Sequence, residues 1–239
     1  MAVFLVTGAS TGIGLAAARA LRAAGETVVG ISRSGREDTE VADLSTEAGV
    51  REAVAIARRQ GPIRGLVLNA ATGSARDGSV ADLTAADWRE TMAINLDSPF
   101  FTMHEVWNDL IADGSGRIVM VSSTAATVGA PGMTAYSASK AALLGMMRVV
   151  AQDGAPHGLT CNAVLPGWVR TEMSERSAVA TAQQTNRSVA EVWAERNAGY
   201  AAGRVVEPEE VGDVIAFLCS RAASGVSGEE IRVALGDVW

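Results

Sequence analysis

Tyr136 and Lys140 stand four residues apart in AYSASK, a spacing that places a phenol and an ammonium on one face of a helix. A free tyrosine has a pKa of about 10, and a fixed positive charge beside it favours the phenolate. The pair is therefore suited to giving and taking a proton, with Lys140 supplying the charge. Ser123 lies thirteen residues before Tyr136 at the end of the apolar run RIVMVSS, where a strand can deliver a second hydroxyl. Ser122 is the weaker choice, because the spacing to Tyr136 favours its neighbour. A Tyr-x-x-x-Lys pair also describes an ordinary exposed polar pair, so its meaning depends on what else the chain carries.

The other end of the chain carries a phosphate site. AVFLV reads as a short buried strand, TGASTGIG as a glycine turn, and LAAARALRAAG as a helix closed by Gly25. In that order Gly8, Ser10, Thr11, Gly12, Ile13 and Gly14 present backbone N–H groups and a helix dipole to an anion, and the glycines permit close approach. The glycine spacing is G-x-x-x-G-x-G rather than the commoner G-x-G-x-x-G, and its position directly after the first strand favours a nucleotide site over a plain tight connection.

These segments together resemble the short-chain dehydrogenase/reductase family, and among its members the 3-oxoacyl carrier-protein reductases. TGASTGIG is similar to the family's cofactor turn, Asn69-Ala70-Ala71 to its N-A-G segment, and Asn95 in INLDSPF to its helix-borne asparagine. Ser123, Tyr136 and Lys140 match its catalytic residues, and Pro166-Gly167-Trp168-Val169-Arg170-Thr171 resembles its P-G-x-x-x-T segment. GRVVEPEEVGDVIAFLCS and SGVSGEEIRV are similar to its closing helix and strand. The resemblance covers nearly the whole chain. It implies NADP(H)- or NAD(H)-dependent hydride transfer between a ketone and a secondary alcohol, with Tyr136 as proton donor and Ser123 polarising the same oxygen. Lys140 is expected to hold the nicotinamide ribose, and Asn95 to anchor a water-linked proton relay. It further implies that Asp43 and Leu44 flank the adenine, that Asn69 and Ala70 lie near the adenosine ribose, and that Pro166, Gly167, Val169 and Thr171 border the cofactor. Ala71 stands where the family usually has glycine.

Cofactor choice should be written just after the second strand. An acidic side chain there would hold a ribose 2′-OH and repel a 2′-phosphate, whereas arginine favours the phosphate. Ser32 occupies the expected acidic position and Arg33 follows, which favours NADP(H), with NAD(H) as the alternative. Thr11 points the other way, because many NADP-preferring relatives carry a basic residue at that point of the turn.

The chain of 239 residues, 48% hydrophobic, is long enough to bury a sizeable core in one domain spanning 1–239. Its net charge of −7 suits a soluble protein and argues against general nucleic-acid binding. No stretch is apolar enough for a membrane span, and MAVFLVTG lacks a signal peptide's basic start, so a cytoplasmic location is expected. Cys161 and Cys219 read as core residues. His104 and His157 are isolated, and no metal site is expected.

Strands are expected near 3–7, 27–31, 41–43, 65–69, 116–122, 159–164 and 229–233, alternating with helices. That alternation gives an α/β, Rossmann-type doubly wound seven-stranded parallel sheet with helices on both faces. SRSGREDTE is too short and charged for a crossover helix and reads as a loop. The segment 172–203 is long for a connection, has helical composition, and reads as a substrate lid. Trp168, Met173, Trp193 and Tyr200 bracket it and either line an apolar cleft or pack the lid. Met146 and Met147 read as core or subunit contact. Helices over roughly 87–112 and 134–153 are expected to pair copies of the chain, as in the family, into a homotetramer. An epimerase or dehydratase on a related fold would need an added substrate domain for which the chain is too short. A non-catalytic cofactor-binding regulator would not need all four of Ser123, Tyr136, Lys140 and Asn95.

Overall fold

The computed structural model describes residues 2–73, 80–129 and 131–236. Its strands are β1 (Val3–Thr7), β2 (Thr27–Ser32), β3 (Glu40–Val41), β4 (Ile63–Leu68), β5 (Arg117–Val121), β6 (Thr160–Pro166) and β7 (Glu230–Val233). They form one sheet in the order β3-β2-β1-β4-β5-β6-β7, parallel throughout. The chain winds outward from β1 through β2 to β3, then crosses back to add β4 on the other side of β1. The crevice at the carboxyl ends of β1 and β4 is thus the switch point at which such sheets bind ligands.

All five residues of β1 are buried, as a strand covered on both faces requires. Alternate side chains feed two cores. Val3 and Leu5 join the cluster formed with α2 (Glu47–Arg58), α4 (Ser98–Leu110) and α5 (Thr134–Gly154), whereas Phe4 and Val6 join α1 (Gly12–Ala23) and α8 (Pro208–Cys219). Each fully buried Leu or Ile in these layers stabilises the fold by about 1.5–3 kcal/mol. Met147 and both cysteines lie in the cores, and Met146 packs against one of them. A third cluster is built by α6 (Glu172–Thr185) and α7 (Val189–Ala198), where Ala178, Ala182, Val192 and Trp193 pack with Tyr200 and Val205.

Local chemistry explains several boundaries. Thr171 caps α6 by accepting from the Ser174 N–H, and a Ser188–Glu191 capping box starts α7. Pro208 opens α8 at a position where its missing N–H costs nothing. No helix forms between β2 and β3, so the charged segment is a loop as its composition implies. Two expectations shift. The third strand is Glu40–Val41 rather than 41–43, a short exposed edge strand. The helix expected over 87–112 is broken into α3 (Ala85–Met92), a π turn (Ala93–Asp97) and α4. Asn95 sits in the π turn, a local widening found often at functional sites.

Candidate active site

The glycine turn leaves β1 with Gly8 at φ +66° and enters α1 through Gly12 at φ +52°, conformations that disfavour a side chain. Space is equally restrictive. A Cβ on Gly14 would meet the Gly8 carbonyl oxygen at 2.2 Å and Asn69 Nδ2 at 2.4 Å, and one on Gly12 would touch Thr171 Cγ2 at 3.0 Å. Thr7 fastens the turn to the neighbouring strand: its hydroxyl donates to the Val67 carbonyl and accepts from the N–H groups of Asn69 and Ala70 at 2.9 and 3.0 Å. Asn69 donates its side-chain amide to the carbonyls of Thr7 and Gly8. These contacts hold open a cleft of about 330 Å³ between the ends of β1, β2 and β4. A cradle from which Cβ atoms are excluded, at a helix N-terminus, fits the diphosphate of a dinucleotide.

Of the residues expected around the cofactor, Gly8, Ser10, Thr11, Gly12, Ile13, Ser32, Arg33, Asp43, Leu44, Asn69, Ala70, Ala71 and Thr171 line this cleft. Gly14 lies behind it, packed on the turn. Pro166 ends β6, Gly167 packs against the Tyr200 hydroxyl, and Val169 is buried in a bridge to Val206. These last three are not among the residues that line this cleft.

Ser32 does more for its own loop than for the opening. Its Oγ lies 2.7 Å from Thr39 Oγ1 and accepts from the N–H groups of Ser34 and Gly35, an arrangement that turns the chain sharply and leaves Arg33 exposed at the cleft rim. Asp43 accepts from the Ser45 N–H at 3.0 Å. The Ser45 hydrogen bonds, with a smaller contribution from Arg33, hold its carboxyl below the usual range.

The cleft stops short of the proton-transfer group, which lies on β5 and α5. Ser123 follows β5 and caps the short turn Thr124–Ala126 by accepting from Ala125 N–H at 3.1 Å. It therefore has the local capping role as well as a hydrogen bond with Tyr136. Burial pushes the Tyr136 phenol above its ordinary pKa, and the Ser123 bond acts in the opposite sense. Lys140 is buried, its ammonium donates to the Val121 carbonyl at 2.8 Å and lies 5.7 Å from the Tyr136 ring centre. Loss of hydration lowers its pKa to about 8. Ser122 donates to the Lys140 carbonyl at 2.9 Å and ties α5 to β5.

Asn95 reaches this group by another route. Its Oδ1 accepts from Thr72 N–H at 2.8 Å, and its Nδ2 donates to the Thr72 carbonyl and to Ser139 Oγ at 3.0 and 3.1 Å. Ser139 in turn donates to the Tyr136 carbonyl at 2.7 Å. The amide thus meets the tyrosine turn through Ser139. Ser139 and Thr7 were not singled out in the sequence. The only available signals were their places inside YSASK and at the end of the first strand.

Trp193 and Tyr200 pack the segment 172–203 instead of lining a cleft. Arg196 stacks 3.7 Å from the Trp168 ring centre and 5.0 Å from that of Trp193, and Arg170 covers Trp193 at 4.1 Å. Tyr200 Oη accepts from Trp168 N–H at 2.5 Å. Met173 alone of the four residues lines the cleft. His104 and His157 are exposed, His104 being stacked on Phe100. Among the described residues no group of three or more His, Cys, Asp or Glu could hold a metal ion, and no helix is long and apolar enough to cross a membrane.

A family model described as Enoyl-(Acyl carrier protein) reductase matches residues 8–236. The acetoacetyl-CoA reductase of Rhizobium meliloti (strain 1021) is 34% identical over 96% of this chain and 95% of its own. The 3-oxoacyl-acyl-carrier-protein reductase of Aquifex aeolicus (strain VF5) is 32% identical over 97% and 95%. The crystal structure of an actinorhodin polyketide ketoreductase variant with NADPH superposes with a TM-score of 0.92 at 30% identity, covering 98% of this chain and 96% of that one. With its switch-point glycine cradle and its serine, tyrosine and lysine on adjoining elements, the chain belongs to the short-chain dehydrogenase/reductase family of NAD(P)-binding oxidoreductases that act on CH–OH and C=O groups.

Proposed function

We propose that this chain reduces the carbonyl of a hydrophobic or oxoacyl substrate with NADPH and, in reverse, oxidises the corresponding secondary alcohol. The observation that carries this reading is the half-buried Ser123–Tyr136 pair with the buried Lys140 beside it, placed beyond the end of the glycine-cradled cleft. Bound in that cleft, the dinucleotide supplies the hydride. As hydride adds to carbon, negative charge grows on the carbonyl oxygen, and a site must give that oxygen a proton and hydrogen bonds. Tyr136 Oη gives the proton, and Ser123 Oγ polarises the same oxygen. The raised pKa keeps the phenol protonated at neutral pH, the form needed for reduction. Lys140, with its pKa lowered to about 8, exchanges a proton readily and holds the nicotinamide ribose. Asn95 and Ser139 keep the tyrosine turn in place.

NADP(H) is preferred over NAD(H), supported by Arg33 at the rim and by the absence of a carboxylate at Ser32. The names of the ketoreductase relatives support an oxoacyl thioester or polyketide-like substrate. The segment 172–203 acts as the substrate lid, and the working unit is a cytoplasmic homotetramer. The test is a screen of purified protein with NADPH and NADH against ketones and oxoacyl thioesters. Oxidation of NADPH dependent on an oxo substrate is expected, and no turnover across the panel, despite cofactor binding, would favour a regulator instead.

A further inference from the structure

Three arginines surround the cleft, and two are already engaged by the chain's own carboxylate. Arg36 comes from the loop after β2 and Arg176 from α6, so they stand on opposite walls. Between them Glu172, in the first turn of α6, reaches Arg36 at 3.6 Å and Arg176 at 3.8 Å. All three side chains are more than half exposed, and pairs this open and this long contribute little individually. A ligand phosphate, with more charge and more acceptor oxygens than a carboxylate, displaces such a partner readily.

We propose that Glu172 is an internal stand-in for a cofactor phosphate, and that Arg36 and Arg176 are phosphate-binding residues which Glu172 occupies until the dinucleotide enters. Arg36 extends the Arg33 side of the cleft and meets the ribose 2′-phosphate. Arg176 meets the diphosphate from the α6 side. Exchange of Glu172 for phosphate also links cofactor entry to α6, because the carboxylate that bridges the walls belongs to that helix. The inference rests on the reading of the cleft as a dinucleotide site.

Calorimetric titration of the full chain with NADPH and with NADH separates the two ideas. Glu172→Gln should tighten NADPH by about threefold or more, the scale of one or two exposed ion pairs. Arg36→Ala should weaken NADPH more than NADH, and Arg176→Ala should weaken both. In the Arg36→Ala, Arg176→Ala background, Glu172→Gln should add nothing. Melting of each variant without ligand, close to that of the parent chain, establishes that the fold is kept. If Glu172→Gln leaves NADPH affinity unchanged, or if its gain survives removal of both arginines, the stand-in role is wrong although the cofactor reading stands. If the parent chain binds neither dinucleotide, the cofactor reading falls and the inference with it.

Discussion

Tyr136 Oη is the group whose loss should matter most for the least structural change. Tyr136→Phe keeps the ring and its burial and removes only the hydroxyl. Turnover should fall by about 100-fold or more, the range of general acid catalysis, while melting temperature and NADPH affinity hold. Near-normal turnover would assign the proton elsewhere. Arg33→Ala should raise the NADPH Michaelis constant far more than that of NADH, since only NADPH loses a charge-assisted contact; equal effects would show that Arg33 does not meet the 2′-phosphate. Lys140 provides a test without substrate. Its pKa is about 8 when folded against 10.5 as the ordinary value, so between these limits the unfolded chain binds more protons and stability rises with pH. Below pH 8 the ammonium is charged in both states and the burial cost is felt in full. Urea unfolding at pH 7 and pH 10 should show the chain gaining up to about 3 kcal/mol relative to Lys140→Met; a constant difference would mean that Lys140 is not desolvated. The spacing of Ser123, Tyr136 and Lys140 made this group legible in the sequence, because β5 and α5 each present their part within a few residues. Thr7 with Asn69, and Asn95 with Ser139, were not legible. Their partners lie 62 and 44 positions away, and no periodicity encodes a contact made by the sheet's winding.

At the scale of elements, apolar runs and glycine turns marked the strands well, since parallel strands buried on both faces are nearly continuous apolar segments. The π turn at Asn95 left no comparable mark, because one widened turn barely alters the spacing of apolar residues on either side. The segment 172–203 declared helical composition but not its internal packing. A Trp and an Arg separated by many residues, as Trp168 and Arg196 or Arg170 and Trp193 are, form a stack only once α7 has folded back onto the residues before α6. That stack alters what mutation should do. Trp193 joins two cation–π contacts to a hydrogen bond from Nε1 to Glu175 at 2.8 Å, so Trp193→Ala should loosen the whole segment rather than trim a cleft wall. Limited proteolysis should cut 172–203 at least several-fold faster in Trp193→Ala than in the parent chain, and NADPH should slow cutting in both. The ratio of activities among ketones should change, as expected when a closing segment aligns substrate and excludes water. Equal cutting with and without NADPH, together with an unchanged ketone profile, would reduce the segment to structural packing.

For the whole molecule the question is how many copies assemble. A dimer needs one self-complementary surface, whereas a tetramer with dihedral symmetry needs at least two. The chain exposes apolar residues on both sides of the sheet. On the side of the α4 and α5 core, Phe100 and Val149 are 50% and 59% exposed, and Gly145 has nothing within 4 Å of the place its Cβ would take, which leaves room for close approach of another helix. On the α8 side Phe217 is 48% exposed. Single exposed apolar side chains are common on any protein surface, so the weight lies in their falling on opposite faces, with Phe100 and Val149 on α4 and α5, the two helices whose pairing the family resemblance implies. A stable contact of ordinary size removes about 800 Å² from each partner, an area that one helix pair on each face can supply. Light scattering at micromolar concentration should therefore give four times the chain mass. Val149→Glu should break the α5 contact and Phe217→Glu the α8 contact, each yielding a species of half that mass with its melting curve still cooperative. A parent chain that scatters as a monomer would rule the assembly out, and a dimer unaffected by Phe217→Glu would leave only the α5 face as an interface.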